Sequence, residues 1–441
     1  MAKYFIAEPI LIFIGIIKVL GNFQPFESFY LDYASQKYNF TLDEDKKQNL
    51  VNCRNIWCFI FTFVILFITD GLRYRPIIIS GSIITLLRYI LLFFWPSVFL
   101  IQVEVILSAF QHSSAIASSV YLYSKIKDES KYQKITAYVN AFFLYGMCLS
   151  TGVGLVYVNI LGLNLSYLLA YNITVVFIAL ICAFILPSVD PEESTEGLQH
   201  VNSQNPILRT EKLHRNSALR TILHMWFNFK TAYTNIYVLK WSLWWSLTSF
   251  LALRVRYHYL TFLASIENDE TYFLTKNIHP VVFIICQLTS AVLVIICSLK
   301  PTNWKARGDP ILSLVSFTLS VLAIAQYFNH FWPFILIGIE VIFAIIVEVF
   351  LTICLWEIVQ IIPRNSYALI VGFNTLVFNG LHNFLPFSIR MTDFVAKQEF
   401  MLYGICFAVI GIVFGLAGIS RPLGNDFDQI MKRQAPDDLE K

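Results

Sequence analysis

DPEESTEGLQHVNSQNP, residues 190–206, and the basic run RTEKLHRNSALR at 209–220 form the one long hydrophilic interval in a chain that is otherwise a succession of apolar stretches. Of the 441 residues, 57% are hydrophobic and only 14% charged, and the mean hydropathy is positive. This places the chain outside the range of soluble domains and among polytopic membrane proteins. A helix needs about 20 mainly apolar residues to cross a bilayer. LIFIGIIKVL (11–20), IWCFIFTFVILFIT (56–69), LSYLLAYNITVVFIALICAFIL (165–186) and FMLYGICFAVIGIVFGLAGI (400–419) belong to such stretches. Barrel strands are shorter and alternate strictly, so the spans read as helices. The polar interval, about 188–235, divides them into six and six.

Hydropathy predicts spans at about 5–22, 55–70, 76–95, 97–122, 136–158, 163–187, 236–264, 279–299, 310–328, 331–361, 367–392 and 400–419. An even number of spans puts both termini on the side of the polar interval. Lys and Arg concentrate on that side, so the positive-inside rule makes it the cytoplasm. The expected organisation is an N-terminal six-helix half at 1–187, a central cytoplasmic loop at 188–235, a C-terminal six-helix half at 236–420 and a cytoplasmic tail at 421–441. The first span, with no obvious cleavage site after it, reads as a retained anchor. Twelve helices cut by a central loop are the plan of the major-facilitator architecture, whose two halves rock around a midplane cavity. That likeness of plan implies a transporter without naming its cargo.

Other classes are excluded by what the residues lack. A net charge of +3 is too small to suggest a nucleic-acid partner. Six cysteines (Cys148, Cys182, Cys286, Cys297, Cys354 and Cys406) lie inside apolar stretches, and Cys53 and Cys58 have no metal-ligand companions. They read as packing thiols, with no metal and no cofactor implied. No P-loop is present to couple ATP, and no H-E-x-x-H or similar cluster supports an intramembrane enzyme.

Seven motifs fall in one order: N-F-Q-P-F-E-S-F (22–29), N-F-T (39–41), T-D-G-L-R-Y-R-P (69–76), A-S-S-V-Y-L-Y-S (117–124), K-Y-Q-K-I-T-A-Y (131–138), W-S-L-W-W (241–245) and Y-A-L-I-V-G-F-N-T (367–375). Together they resemble the reduced folate carrier and thiamine transporter family, solute carrier family 19, through nearly all twelve spans. The resemblance implies uptake of thiamine or a folate across the plasma membrane by alternating access, with the lipid bilayer and a coupled proton or counter-anion as further partners. It also implies that Glu27, in QPFESF, faces the central cavity, where thiamine carriers use the matching carboxylate on the aminopyrimidine. Read without the family, Glu27 is a solvated carboxylate at a helix end, near Asp32 and the D-E-D at 43–45. Asp70, Arg73 and Arg75 resemble the family's loop between its second and third helices and read as a conformational gate, or as positive-inside anchoring. Asn39 is the expected glycosylation site on the outward loop, whereas Asn164 and Asn172 fall at or inside a span.

Ionisable residues inside a span are costly and usually face a cavity or a partner. The segment 236–264 places Arg254 and His258 four residues apart on one face, with Arg256 pointing elsewhere. Segment 331–361 carries Glu340 and Glu348, segment 367–392 carries His382 and Asn383, and segment 97–122 carries Glu104, Gln111 and His112. One reading lines the cavity with Arg254, His258, Glu348 and His382: a guanidinium can grip a carboxylate, a carboxylate can hold an organic cation, and a histidine can carry a proton. The other pairs Arg254 with a helix carboxylate such as Glu348 and leaves the histidines hydrogen-bonded between helices. Trp241, Trp244 and Trp245 read as anchors at the membrane interface. Tyr121, Tyr123 and Trp57 read as core aromatics or as a stacking surface for a flat ring.

The chain departs from the family where substrate is recognised. Ala115, in S-A-I-A-S, stands where thiamine carriers have the Glu of T-E-I-A-Y. Tyr257 and His258 replace the family's N-Y, His382 stands where folate carriers have a Lys, and Ala344 stands where they have an Arg, with Glu348 one turn on. Glu27 and Glu348 suit a cation while Arg254 and His382 suit an anion, so thiamine and folate both stay open. A non-transporting vitamin-binding receptor, or a carrier of a different organic ion, is the alternative.

Overall fold

The structure is a computed structural model and describes residues 7–30, 33, 44–95, 98–126, 128–189, 217–265, 278–299, 304–328, 332–363, 366–389 and 396–419. Among these residues there are thirteen α-helices and no strand. They are α1 (Ala7–Asn22), α2 (Glu44–Leu72), α3 (Arg75–Phe94), α4 (Val98–Lys125), α5 (Tyr132–Leu155), α6 (Leu165–Ile185), α7 (Ser217–Thr234), α8 (Ile236–Ser265), α9 (His279–Leu299), α10 (Trp304–Phe328), α11 (Pro333–Val359), α12 (Tyr367–Ile389) and α13 (Ala396–Ile419). Ten of them are long and apolar enough to cross a membrane. With α1, whose apolar part runs Leu11–Asn22, and α8, which carries Lys240, Arg254 and Arg256, the described residues hold twelve helices that match the twelve spans expected. Large apolar side chains such as Phe63, Phe177, Leu314, Val321 and Leu416 are exposed on the outside of the bundle, as a lipid-facing surface requires.

The two largest departures from the sequence expectation lie before the second span and in the central interval. The helix α2 begins at Glu44, eleven residues before the predicted span, because EDKKQN continues the helix beyond its apolar part. The interval expected as a loop carries α7, an eighteen-residue helix that packs on α8 and α12. Asn39 and the tail at 421–441 lie outside the described residues.

Helix starts are set locally. Pro76 and Pro333 stand in the first turns of α3 and α11, where a missing N–H costs no helical bond. The Asn164 side chain caps α6 by accepting from the Ser166 N–H at 2.9 Å. Helices α1–α6 form one half and α8–α13 the other, and they meet along α2 with α12 and α5 with α9, flanked by α4 with α12 and α5 with α11. Without a hydrophobic drive between helices in lipid, such seams depend on close backbone approach and interhelical hydrogen bonds. Asn379 donates to Thr62 (3.1 Å), Asn383 to the Asn55 carbonyl (3.0 Å) and Asn140 to Thr352 (2.5 Å). Gly372 of α12 lies so close to α2 that a Cβ there would meet the Leu66 Cβ at 2.7 Å.

Trp241 and Trp244 are fully buried, and the Trp244 indole donates to Ser316 at 2.9 Å. They are core residues of the C-terminal half, not interfacial anchors. Their rings fill the gap between α8 and α10, where Gly308 makes room for the Trp241 ring.

Gly372→Leu overfills the α2–α12 contact and is expected to cost about 1–3 kcal/mol, read as a lower melting temperature of the purified protein. Gly380→Ala, whose Cβ would meet only Phe59 at 3.4 Å, is expected to leave it nearly unchanged.

Candidate functional site

A cavity of about 610 Å³ lies within the N-terminal half, walled by α1, α3, α4, α5 and α6 and by Arg54 of α2, with Phe283 of α9 and Leu355 of α11 contributed across the seam. Its polar lining concentrates in two places.

At one end, Glu27 occupies a single helical turn, Glu27–Phe29, after α1 has stopped at Asn22. The side chain of Asn22 turns back to the Lys18 carbonyl (2.7 Å), and the Gln24 side chain to the Gly21 carbonyl (2.5 Å). The Phe26 ring beneath is packed edge-on against Tyr33 and Tyr89. This arrangement points Glu27 at Arg88 of α3, with which it forms an ion pair. Arg88 is 2% exposed; it also lies 3.0 Å from Glu104 of α4 and donates to the Gln111 Oε1 (2.8 Å) and the Tyr89 hydroxyl (2.7 Å). The Tyr89 hydroxyl in turn faces Glu27 Oε2 at 2.9 Å and Gln24 Oε1 at 2.7 Å. One guanidinium thus joins two carboxylates, with neutral donors and acceptors filling the remaining positions, as a buried ion requires. The Arg88 and Tyr89 bonds to Glu27 both go to Oε2; Oε1 has no hydrogen bond among the described residues, and the side chain is 41% exposed.

At the other end are Lys18 of α1 and Ser118, Ser119, Thr136 and Asn140. The Lys18 ammonium, 6% exposed, donates to the Ser119 hydroxyl at 2.9 Å. Arg54 and His112 complete the ionisable lining. Neither Arg88 nor Lys18 is among the residues singled out from the sequence. Each is a lone cation in an apolar helix, a signal that the cost of charge in a bilayer makes readable.

The C-terminal candidates lie outside this lining. His258 sits against the Glu399 carboxylate at the start of α13 and stacks on Tyr403 (5.7 Å), whose hydroxyl donates to Glu399 at 3.3 Å. Tyr257 is exposed and meets His258 edge-on. Arg254 and Glu348 are half-buried, and His382 stacks on Phe378 within its own helix. Arg256 forms an ion pair with Glu340, at 3.8 Å, Glu340 also accepting from Gln326 at 3.0 Å. Tyr121 is packed into the core, whereas Tyr123 is both buried and part of the cavity wall. Trp57 stacks on Phe61.

On the side of α7 the halves are joined at Asp70. Its carboxylate accepts from the backbone N–H groups of Ala368 (3.1 Å) and Leu369 (2.9 Å), the first turn of α12, where the helix dipole favours an anion. The Tyr74 hydroxyl donates to the same carboxylate at 2.6 Å. The turn that places Tyr74 is strained: Arg73 and Tyr74 have φ of 59° and 65°, and the Arg75 N–H reaches back to the Arg73 carbonyl at 2.6 Å. Such conformations cost of order 1–3 kcal/mol each and persist where surrounding contacts impose them. Arg73 and Arg75 donate to the carbonyls of Val189 (3.4 Å) and Phe184 (2.7 Å), at the end of α6. Beside the turn, Tyr123 and Tyr132 pack against Tyr367, the Tyr132 and Tyr367 hydroxyls 3.0 Å apart.

A family model described as reduced folate carrier matches residues 3–399. Folate transporter 1 of Caenorhabditis elegans is 24% identical over 419 residues, covering 92% of this chain and 90% of its own. Thiamine transporter 1 of Homo sapiens is 23% identical over 407 residues, covering 82% and 80%. Among solved structures, the proton:xylose symporter XylE of the major facilitator superfamily superposes with a TM-score of 0.67 at 12% identity, covering 92% of this chain and 94% of its own. The human organic anion transporter MFSD10 gives 0.62 at 12% identity, covering 92% and 98%. At that identity the structural likeness concerns the fold, which is the major-facilitator fold expected from the sequence.

Arg88→Leu leaves Glu27 and Glu104 facing each other without the guanidinium between them. The expected loss is roughly 3–5 kcal/mol of stability, measured as a large drop in melting temperature or in folded yield. Adding Glu104→Gln to that variant is expected to recover part of the loss.

Proposed function

The chain belongs to the reduced folate carrier family, and from that premise we propose that it takes up thiamine or a folate across the plasma membrane by alternating access, with both termini in the cytoplasm. The observation that supports this reading is Glu27 of the QPFESF motif, which lines the cavity with Oε2 held by Arg88 and Tyr89, while Oε1 has no hydrogen bond among the described residues. Both vitamins carry an amino-substituted pyrimidine-type ring. A fixed carboxylate oxygen is a fitting acceptor for that amino group, because a charge-assisted hydrogen bond is strong and directional.

Transport on this reading requires a closure on the cytoplasmic side. Asp70 with the first turn of α12, supported by Arg73, Arg75 and the tyrosine trio, is the cytoplasmic gate. The carboxylate stays with the helix end while the gate is shut and leaves it when the halves separate, so the strained turn at Arg73 and Tyr74 has a reason to exist. The proposed coupling ion is a proton, with His258 beside the Glu399 carboxylate as its carrier; the alternative is exchange of a counter-anion. Arg254, Tyr257, Glu348 and His382 are proposed to meet the substrate in the conformer that opens the C-terminal wall.

Labelled thiamine and labelled folate are offered in parallel, at two external pH values, to cells expressing the wild type or Glu27→Gln. Saturable uptake of one vitamin, reduced at least about tenfold by the variant, is the expected result. Uptake of neither by protein shown to be at the surface contradicts the reading. Asp70→Asn keeps the shape but removes the anion from the α12 terminus. It is expected to slow uptake severalfold and to raise the reactivity of cysteines placed on the loop side of the cavity, measured by alkylation.

A further inference from the structure

We propose that Lys18 is an anion-binding subsite of the cavity, so that the substrate carries an amino-heterocycle at one end and a carboxylate or phosphate at the other. This rests on the vitamin-carrier reading above and narrows it. The Lys18 side chain is 6% exposed within the apolar helix AEPILIFIGIIKVLGN. Its one partner among the described residues is the hydroxyl of Ser119, whose own hydrogen is directed to the Ala115 carbonyl at 2.9 Å. An ammonium has three donors, and lysines are almost never so buried unless paired. Three other cations in the bundle each have a counter-charge: Arg88 has Glu27 and Glu104, Lys240 has Asp309 at 3.0 Å, and Arg256 has Glu340 at 3.8 Å. Lys18 has a hydroxyl and the cavity.

The spacing fits a ligand of defined length. Gln111, bonded to Arg88, and Ser119, bonded to Lys18, both line the cavity from α4. Eight residues at 1.5 Å per residue separate the two stations by about 12 Å along the helix. Glu27 at the first station accepts an amino group, and Lys18 at the second attracts an anion. The charge balance agrees: Lys18, Arg54 and Arg88 line the cavity against Glu27, and with Glu104 behind Arg88 the count is still three cations to two carboxylates. A focused positive field favours anions. Free thiamine, with a cationic ring near its middle and a neutral hydroxyl at its end, meets repulsion at Lys18 and gains nothing from it.

The test uses the purified full-length chain in lipid nanodiscs, with labelled folate, thiamine and thiamine monophosphate as probes. The wild type is compared with Lys18→Met, Lys18→Arg and Lys18→Gln. The wild type is expected to bind folate or thiamine monophosphate more tightly than thiamine, and the tighter of the two tells carboxylate from phosphate. Lys18→Met is expected to weaken the anion by about 10- to 100-fold, the loss of one charge-assisted contact, to tighten thiamine by relieving the repulsion, and to raise the melting temperature of the ligand-free protein by removing an uncompensated charge. Lys18→Gln is expected to weaken the anion in the same way, and Lys18→Arg to retain most of the affinity. Tighter binding of thiamine by the wild type, or unchanged anion affinity in Lys18→Met with a lower melting temperature, overturns the proposal. If none of the three binds, the vitamin reading fails and glutarate decides the subsite: stabilisation of the wild type but not of Lys18→Met supports it, and equal effects on both overturn it.

Discussion

A guanidinium withdrawn from water must be met by carboxylates and acceptors in fixed places, and Arg88 imposes that requirement on the whole N-terminal half. It draws together the turn after α1, through Glu27, and the middle and outer parts of α4, through Gln111 and Glu104, while α3 carries it. Because an unpaired ion in a low-dielectric interior is far more costly than a mismatched packing contact, the register of these elements follows the ion. The cavity is the space left beside them. Its wall is polar where Glu27 turns one oxygen outward and apolar where Ile17, Ile78 and Val139 close the sides.

The C-terminal half handles its charges differently. Lys240 is spent on Asp309, Arg256 on Glu340, and His258 on Glu399. Glu357 accepts from Tyr237 (2.6 Å) and from Trp356 (3.1 Å). These groups saturate one another between helices and present little to the cavity. The asymmetry suits a machine whose halves move as bodies: one half carries the polar stations, and the other supplies a comparatively apolar face, Phe283 and Leu355. The halves are tied at the loop side by a contact that depends on orientation as well as distance. Asp70 is held by two N–H groups at a helix end, and a small rotation of α12 would turn both away together.

Composition and hydropathy alone determined that this chain spans a membrane with twelve helices in two sets of six, because bilayer thickness leaves a spanning segment few alternatives. The family motifs likewise pointed to Glu27 and Asp70 as residues of interest. The reading of α8, α11 and α12 shows the limit. Helical periodicity put Arg254 and His258 on one face, but the angle at which that face meets its neighbours is a tertiary property, and it directs His258 to Glu399 on a helix more than a hundred residues away in the chain. Arg88 and Lys18 were visible as lone charges in apolar stretches. What only the tertiary structure decided is that the first is enclosed by two carboxylates and the second faces the cavity with a hydroxyl for company, because the partners of a buried charge are set by helix packing across long sequence separations and leave no local pattern behind.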